Sequence, residues 1–230
     1  MRGKTIRERH WCAPHDFANC VPGLQERFIR ELLEILWEAY DALRSELEDI
    51  EIDDDTERIE DDITEHWQPL ISEALRARPH LPCYAQHKSA EFETRLRAPA
   101  RPPEYDIAFV LYEDRNVKVP VEAKVLKTAG RVSEYVKEIT ENYLTCRYAP
   151  FLEHGAMAGY LLSGEPDTAF ENIFSSLGHD LESHPDFPDR PQRRSIHVRI
   201  VPEGKDYPAD FTCHHLMLSF ATNSSADGNS

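Results

Sequence analysis

The chain is short of everything that would let it grip a polyanion alone. Against 42 Asp and Glu it carries only 26 Lys and Arg, a net charge of −16, and no segment gathers the dense basic patch that phosphate contacts require. It has no apolar run near the roughly 18 residues of a membrane span. Its first ten residues, with Arg2, Lys4, Arg7 and Arg9, lack the apolar core of a signal peptide. Its five cysteines are an odd number without a repeated spacing, which argues against a disulfide framework and for a reducing compartment. A cytoplasmic protein without membrane contact is the expectation. The Gly-x-Ser-x-Gly elbow, the Walker loop and the Gly-x-Gly-x-x-Gly fingerprint are missing too, and with them the commonest serine-hydrolase, nucleotide-triphosphatase and dinucleotide-binding readings.

The charge is unevenly spread. Glu46 to Asp62 holds eleven acids and one base, a net of −10, so the rest of the chain carries −6. With 40% hydrophobic residues over 230 positions, one domain with a sizeable core is expected, with room for a helical appendage. Near the N-terminus, His10, Cys12, His15 and Cys20 match no usual zinc spacing and read as loop residues, and a zinc reading of His80, Cys83 and His87 is set aside as well.

The chemistry gathers between Asp106 and Lys124. An apolar strand opens on Asp106, a turn follows through Glu113 to Asn116, and a second strand ends in Val119-Pro120-Val121-Glu122-Ala123-Lys124. With period-two alternation Val119, Val121, Ala123 and Val125 face a core while Glu122 and Lys124 share the opposite face. The hairpin brings Asp106 back to that pair. Two carboxylates and an ammonium on rigid strands suit a metal-dependent hydrolase of phosphodiesters. Their oxygens match Mg²⁺ or Mn²⁺, and the lysine can orient the attacking water or stabilise charge on the phosphorane.

Asp106 with Glu122-Ala123-Lys124 resembles the acid and Glu-x-Lys halves of the PD-(D/E)xK nuclease superfamily. A second stretch, Tyr135 to Pro150 followed by the small-residue strand Gly155 to Leu162, is similar to restriction- and phage-defence-associated members, through Tyr135, Tyr148 and Ala149. It departs from them at Asn142, where Arg is commoner, and at Cys146, where Gly is commoner. The resemblance implies an α/β, restriction-endonuclease-like fold, its mixed central sheet of five or six strands flanked by helices. It also implies Mg²⁺ (or Mn²⁺), with Asp106 and Glu122 as ligands, Lys124 as catalytic cation, and a further acid on a preceding helix. Glu60 is the best-placed candidate among the acids near 60–65, because positions 60, 63, 67 and 71 share one helical face. The function implied is DNA endonuclease in a bacterial restriction or anti-phage system, with DNA and a protein partner subunit as partners. The alternative is a catalytically silent scaffold or DNA-clamp subunit of the same fold.

The remaining elements follow from periodicity. Helices are predicted over 24–47, 56–78, 132–153 and 168–183, and strands over 91–97, 156–162, 195–201 and 211–221. His214 and His215 read as edge or core residues rather than ligands. The first helix has a broad apolar stripe and two readings, core packing within this domain or docking to a second copy or a partner. The expected division is a helical extension with an acidic linker over 1–55, a nuclease-like domain over 56–221 and a polar tail over 222–230.

Overall fold

The computed structural model describes residues 26–46, 56–94 and 101–220. The loop reading of His10, Cys12, His15 and Cys20, the acidic linker before residue 56 and the polar tail from 222 lie outside the described residues, as does the end of the strand expected over 91–97.

Helices α1 (Glu26–Glu46) and α2 (Thr56–Arg76) come first. Strands β1 (Cys83–Ala90), β2 (Glu104–Leu111) and β3 (Lys118–Leu126) form an antiparallel meander. Helix α3 (Ser133–Glu138) and a π-helical turn (Ile139–Tyr143) cross over to β4 (His154–Leu161), which lies parallel to β3. Helix α4 (Pro166–Leu177), the two-residue β5 (Glu182–Ser183), β6 (Gln192–Val198) and β7 (Asp210–Ser219) complete the chain. The result is a mixed seven-stranded sheet in the order β1-β2-β3-β4-β7-β6-β5. Its central strand β4 runs parallel to both neighbours and is almost wholly buried, as strands covered on both faces are. Gly155 is required there, because a Cβ would lie 2.5 Å from the Tyr143 ring and 3.0 Å from Phe211.

Four expectations are corrected. The first strand is Cys83–Ala90, not 91–97, and Phe92, just beyond its end, is 52% exposed. The helix expected over 132–153 gives way after Glu138 to the π-turn and then to turns in which Cys146 and Ala149 take positive φ of 58° and 48°. The helix expected to reach 183 stops at Leu177, where Gly178 caps it in the left-handed conformation at φ 69°.

The fourth concerns α1. Its stripe is not left for a partner, since ten of its residues, among them Leu32, Ile35, Leu36 and Trp37, are buried by this same chain. Trp37 Nε1 donates to Gln192 Oε1, Tyr40 donates to the Ser219 carbonyl at 2.6 Å, and Arg190 forks onto Asp41. The helix belongs to the core shared with the sheet, and the premise for a homodimer or partner interface through it is removed. No helix among the described residues is long and apolar enough to cross a membrane.

Candidate active site

Strands β2 and β3 pair from Ile107↔Val121 toward the hairpin and part at the other end. Where they part, the Asp106 side chain replaces the lost backbone partner. Its Oδ2 accepts from the Ala123 amide at 2.7 Å. That bond fixes the carboxylate in a notch at the sheet's edge of pairing, beside the next two side chains of β3.

Glu122 and Lys124 follow on β3. Lys124 Nζ lies 3.1 Å from Glu122 Oε1, 3.8 Å from Asp106 Oδ2 and 2.9 Å from Glu60 Oε1. It also donates to the Ala123 carbonyl at 2.6 Å. Glu60 arrives from α2, which is pinned to the sheet by Trp67 against Tyr160 and by a 2.9 Å bond between Thr64 and the Tyr160 hydroxyl. Its second oxygen accepts from the Val125 amide at 3.3 Å. All four side chains singled out in the sequence therefore meet. One expectation is corrected: Glu122 does not stand clear of the sheet but is buried, 4% exposed, and its Oε2 has no hydrogen-bond partner.

Burial is the main force on the Glu122 carboxyl, pushing its pKa well above the ordinary carboxylate range. The Asp106 charge pushes the same way, and Lys124 pulls back less strongly. Glu60 is also raised, by burial first, against the attraction of Lys124. Burial alone would lower Lys124, but Glu122, Asp106 and Glu60 together hold its ammonium above the usual lysine range. These directions agree, since one ammonium serves three carboxylates, and the deepest of them takes up a proton first. At neutral pH Lys124 is a fixed cation and hydrogen-bond donor, not a base.

A fourth acid was missed by sequence reasoning. Glu138, the last residue of α3, is half-buried and its charge helps raise both Glu122 and the buried Tyr148 phenol. Asn142, on the π-turn, donates to Glu138, so the residue found where the resemblance expects Arg orients a carboxylate at the site. The available signal was spacing: Glu138 lies three positions after Tyr135, which packs inward.

Among the described residues no group of three or more His, Cys, Asp and Glu is arranged to hold a metal ion, and three of the site's carboxylates converge on the Lys124 ammonium. The donors nonetheless suit a hard divalent cation, being carboxylate oxygens. The unpartnered Glu122 Oε2 is an acceptor in want of a positive partner. The two expected core histidines are found in the core: His215 lies between the Tyr135 hydroxyl at 3.0 Å and Ser195 Oγ at 2.7 Å, and His214 stacks on His154. No protein-family model, curated protein or solved structure matches this chain.

Proposed function

We propose that the chain is a divalent-cation-dependent endonuclease of PD-(D/E)xK type, hydrolysing phosphodiester bonds of DNA as a subunit of a bacterial restriction or anti-phage system. The observation that carries the reading is the meeting of Asp106, Glu122, Lys124 and Glu60 in one notch, from two strands and a helix far apart in sequence. The restriction-endonuclease-like form of the fold is supported by the antiparallel meander, the helical crossover to a parallel β4, and the site at the β2–β3 parting. The left-handed Cys146 supports it as well, since the resemblance expects glycine there.

Asp106 and Glu122 would hold Mg²⁺ or Mn²⁺, with Glu60 supplying a further oxygen. The ion when bound supplies Lewis acidity and an activated water. Lys124, kept protonated by its carboxylates, donates to the phosphoryl oxygens as negative charge grows on them and orients the incoming water. Asp106 is held rigid through the Ala123 amide, so the site is preorganised from the sheet. Because the chain's net charge is −16, a protein partner supplies part of the hold on DNA.

The silent-scaffold reading has its own support, the ion pairing of all three carboxylates with the one ammonium of Lys124. One panel separates the two. Wild type, Asp106→Ala, Glu122→Gln, Lys124→Ala and Glu60→Ala are assayed on labelled DNA with Mg²⁺ and Mn²⁺, with calorimetry for Mn²⁺ and near-ultraviolet dichroism for folding. The nuclease reading expects cation-dependent cleavage, lost in the first three variants, with Mn²⁺ binding lost in Asp106→Ala. Undiminished cleavage in a folded Glu122→Gln removes this site. Neither cleavage nor Mn²⁺ binding by wild type hands the argument to the scaffold.

A further inference from the structure

At the other end of β1 lies a groove of about 560 Å³, walled by α2 from Gln68 to its end, the turn that follows and the first residues of the strand. Gln68, Ser72, Arg76, Arg78, Tyr84 and Tyr112 supply its polar and aromatic lining, and no Asp or Glu lines it. In a chain of net charge −16 an acid-free groove with two arginines stands apart. The second groove, about 460 Å³ near β5, is lined by Glu165, Asp167 and Asp189 together with its arginines.

The two arginines of the first groove differ in what they are free to do. Arg78 is committed to Glu38 and to the Ala74 carbonyl. Arg76, exposed at the end of α2, has no hydrogen-bond or ion-pair partner among the described residues. In the same groove, the Tyr84 and Tyr112 rings are 5.6 Å apart and tilted by 33°. Tyr84 backs the pair, and Tyr112 keeps 65% of its surface in water. A large aromatic ring left this open and an unengaged guanidinium, lining one groove, are an incomplete stack and an incomplete ion pair in the same groove.

We infer that this groove binds an unpaired nucleotide, its base stacked on Tyr112 and its phosphate on Arg76. Every base has a π-face, so stacking on an aromatic ring tolerates any sequence. The planar guanidinium suits a phosphate's paired oxygens. A base inside a duplex cannot offer its face, so the ligand is a single strand or a free nucleotide. Placement favours the strand. The groove sits at Cys83 to Ala85, whereas His87 and Ser89 pair with Ile107 and Tyr105, the residues flanking Asp106. Tyr112 lies six residues along the chain from Asp106, about 20 Å at a strand rise of about 3.3 Å per residue, a span of about six nucleotides at about 3.4 Å each. The inference shares its nucleic-acid ligand with the proposed nuclease but requires no hydrolysis.

Binding is therefore measured in chelator, where cleavage cannot contribute. The probes are a fluorescein-labelled oligothymidylate of about eight nucleotides, within the site size of single-strand grooves, the same length as a duplex, and thymidine monophosphate. Tyr112→Ala is expected to weaken the single-stranded probe about 5- to 150-fold, and Tyr112→Trp to retain it. Arg76→Ala is expected to weaken it and reduce the salt slope by about 0.7, while the duplex is unaffected. Loss confined to the oligomer identifies a strand, and equal loss for thymidine monophosphate identifies a free nucleotide. The inference is overturned if wild type binds neither single-stranded probe, or if folded Tyr112→Ala and Arg76→Ala bind both as wild type does. Since cleavage is assayed separately, loss of groove binding with Glu122-dependent cleavage intact overturns this inference alone, and the converse overturns the nuclease alone.

Discussion

Removing the Lys124 ammonium without removing its bulk is the sharpest test of how the site is held together, and Lys124→Met does so. In the wild type Nζ contacts Glu60, Glu122 and Asp106 at 2.9, 3.1 and 3.8 Å, with all four side chains less than a quarter exposed. At an effective dielectric near 20, opposite unit charges about 4 Å apart attract by about 4 kcal/mol. Deleting one partner of a buried pair typically costs about 3–5 kcal/mol, because the other charge is left uncompensated. For a chain of this size that lowers Tm by about 6–20 °C. The loss carries a pH signature. Glu122 and Glu60 already have raised pKa values in the folded state and rise further without the ammonium. An acid whose folded pKa is raised contributes stability below its unfolded pKa and loses it as pH rises through the folded one. The gap between wild type and Lys124→Met is therefore widest near pH 8 and narrows toward pH 5 (about the upper edge of the unfolded carboxylate range), as the carboxyls protonate in place. Urea denaturation across that range measures it. In the nuclease reading Mn²⁺ restores part of the loss, about 2.7 kcal/mol at a hundredfold excess over its dissociation constant. A gap that is small and flat with pH refutes the reasoning, because the ammonium and the carboxylates would then not be one coupled cluster.

Two more expectations follow from packing and from buried bases. Deleting residues 1–46 exposes the core that α1 covers, so the truncated chain is expected to aggregate or lose near-ultraviolet dichroism. A soluble, folded monomer would show the helix to be dispensable. The His215 pKa is pushed down to about 3, by burial first and then by His197. A base whose folded pKa is depressed holds its stability above the unfolded value and loses it as pH falls. Wild type should lose stability from about pH 6.5 toward pH 3, and His215→Gln should flatten that slope in urea denaturation followed by tryptophan fluorescence.

The candidate site was the most legible part of this chain, and the reason is geometric. Glu122 and Lys124 sit on a strand whose apolar residues alternate with them, leaving one face for the charged pair, and Asp106 opens the apolar strand joined to it by a short turn. Glu60 was reachable through helical spacing from Ile63 and Trp67, both buried as that spacing requires. What periodicity does not carry is depth. Alternation placed Glu122 opposite the core, yet the crossover through α3 covers that second face too, and only the fold shows the carboxylate closed in with one oxygen unpartnered. The same limit hid β1. An outer strand reading Cys83-Tyr84-Ala85-Gln86-His87-Lys88-Ser89-Ala90 has too few apolar residues to show a face, and its histidine and cysteine drew attention as metal ligands instead.

The crossover failed for a different reason, and that failure bears on function. Tyr135, Tyr143 and Tyr148 recur closely enough to imitate one long helix, but a π-turn begins one residue after Glu138. A π-turn sacrifices regular hydrogen bonding and persists where the displaced residues gain something else. Here Tyr143 is stacked on Phe211 with its hydroxyl 2.9 Å from the Ala156 carbonyl, and Asn142 reaches back to Glu138. The irregular backbone thereby ties β4 and β7 to the carboxylate that presses on Glu122. The two places where the sequence pattern broke, Asn142 and Cys146, lie on this same segment. Asn142 orients Glu138 from it, and Cys146 turns the chain out of the helical run with its φ of 58°.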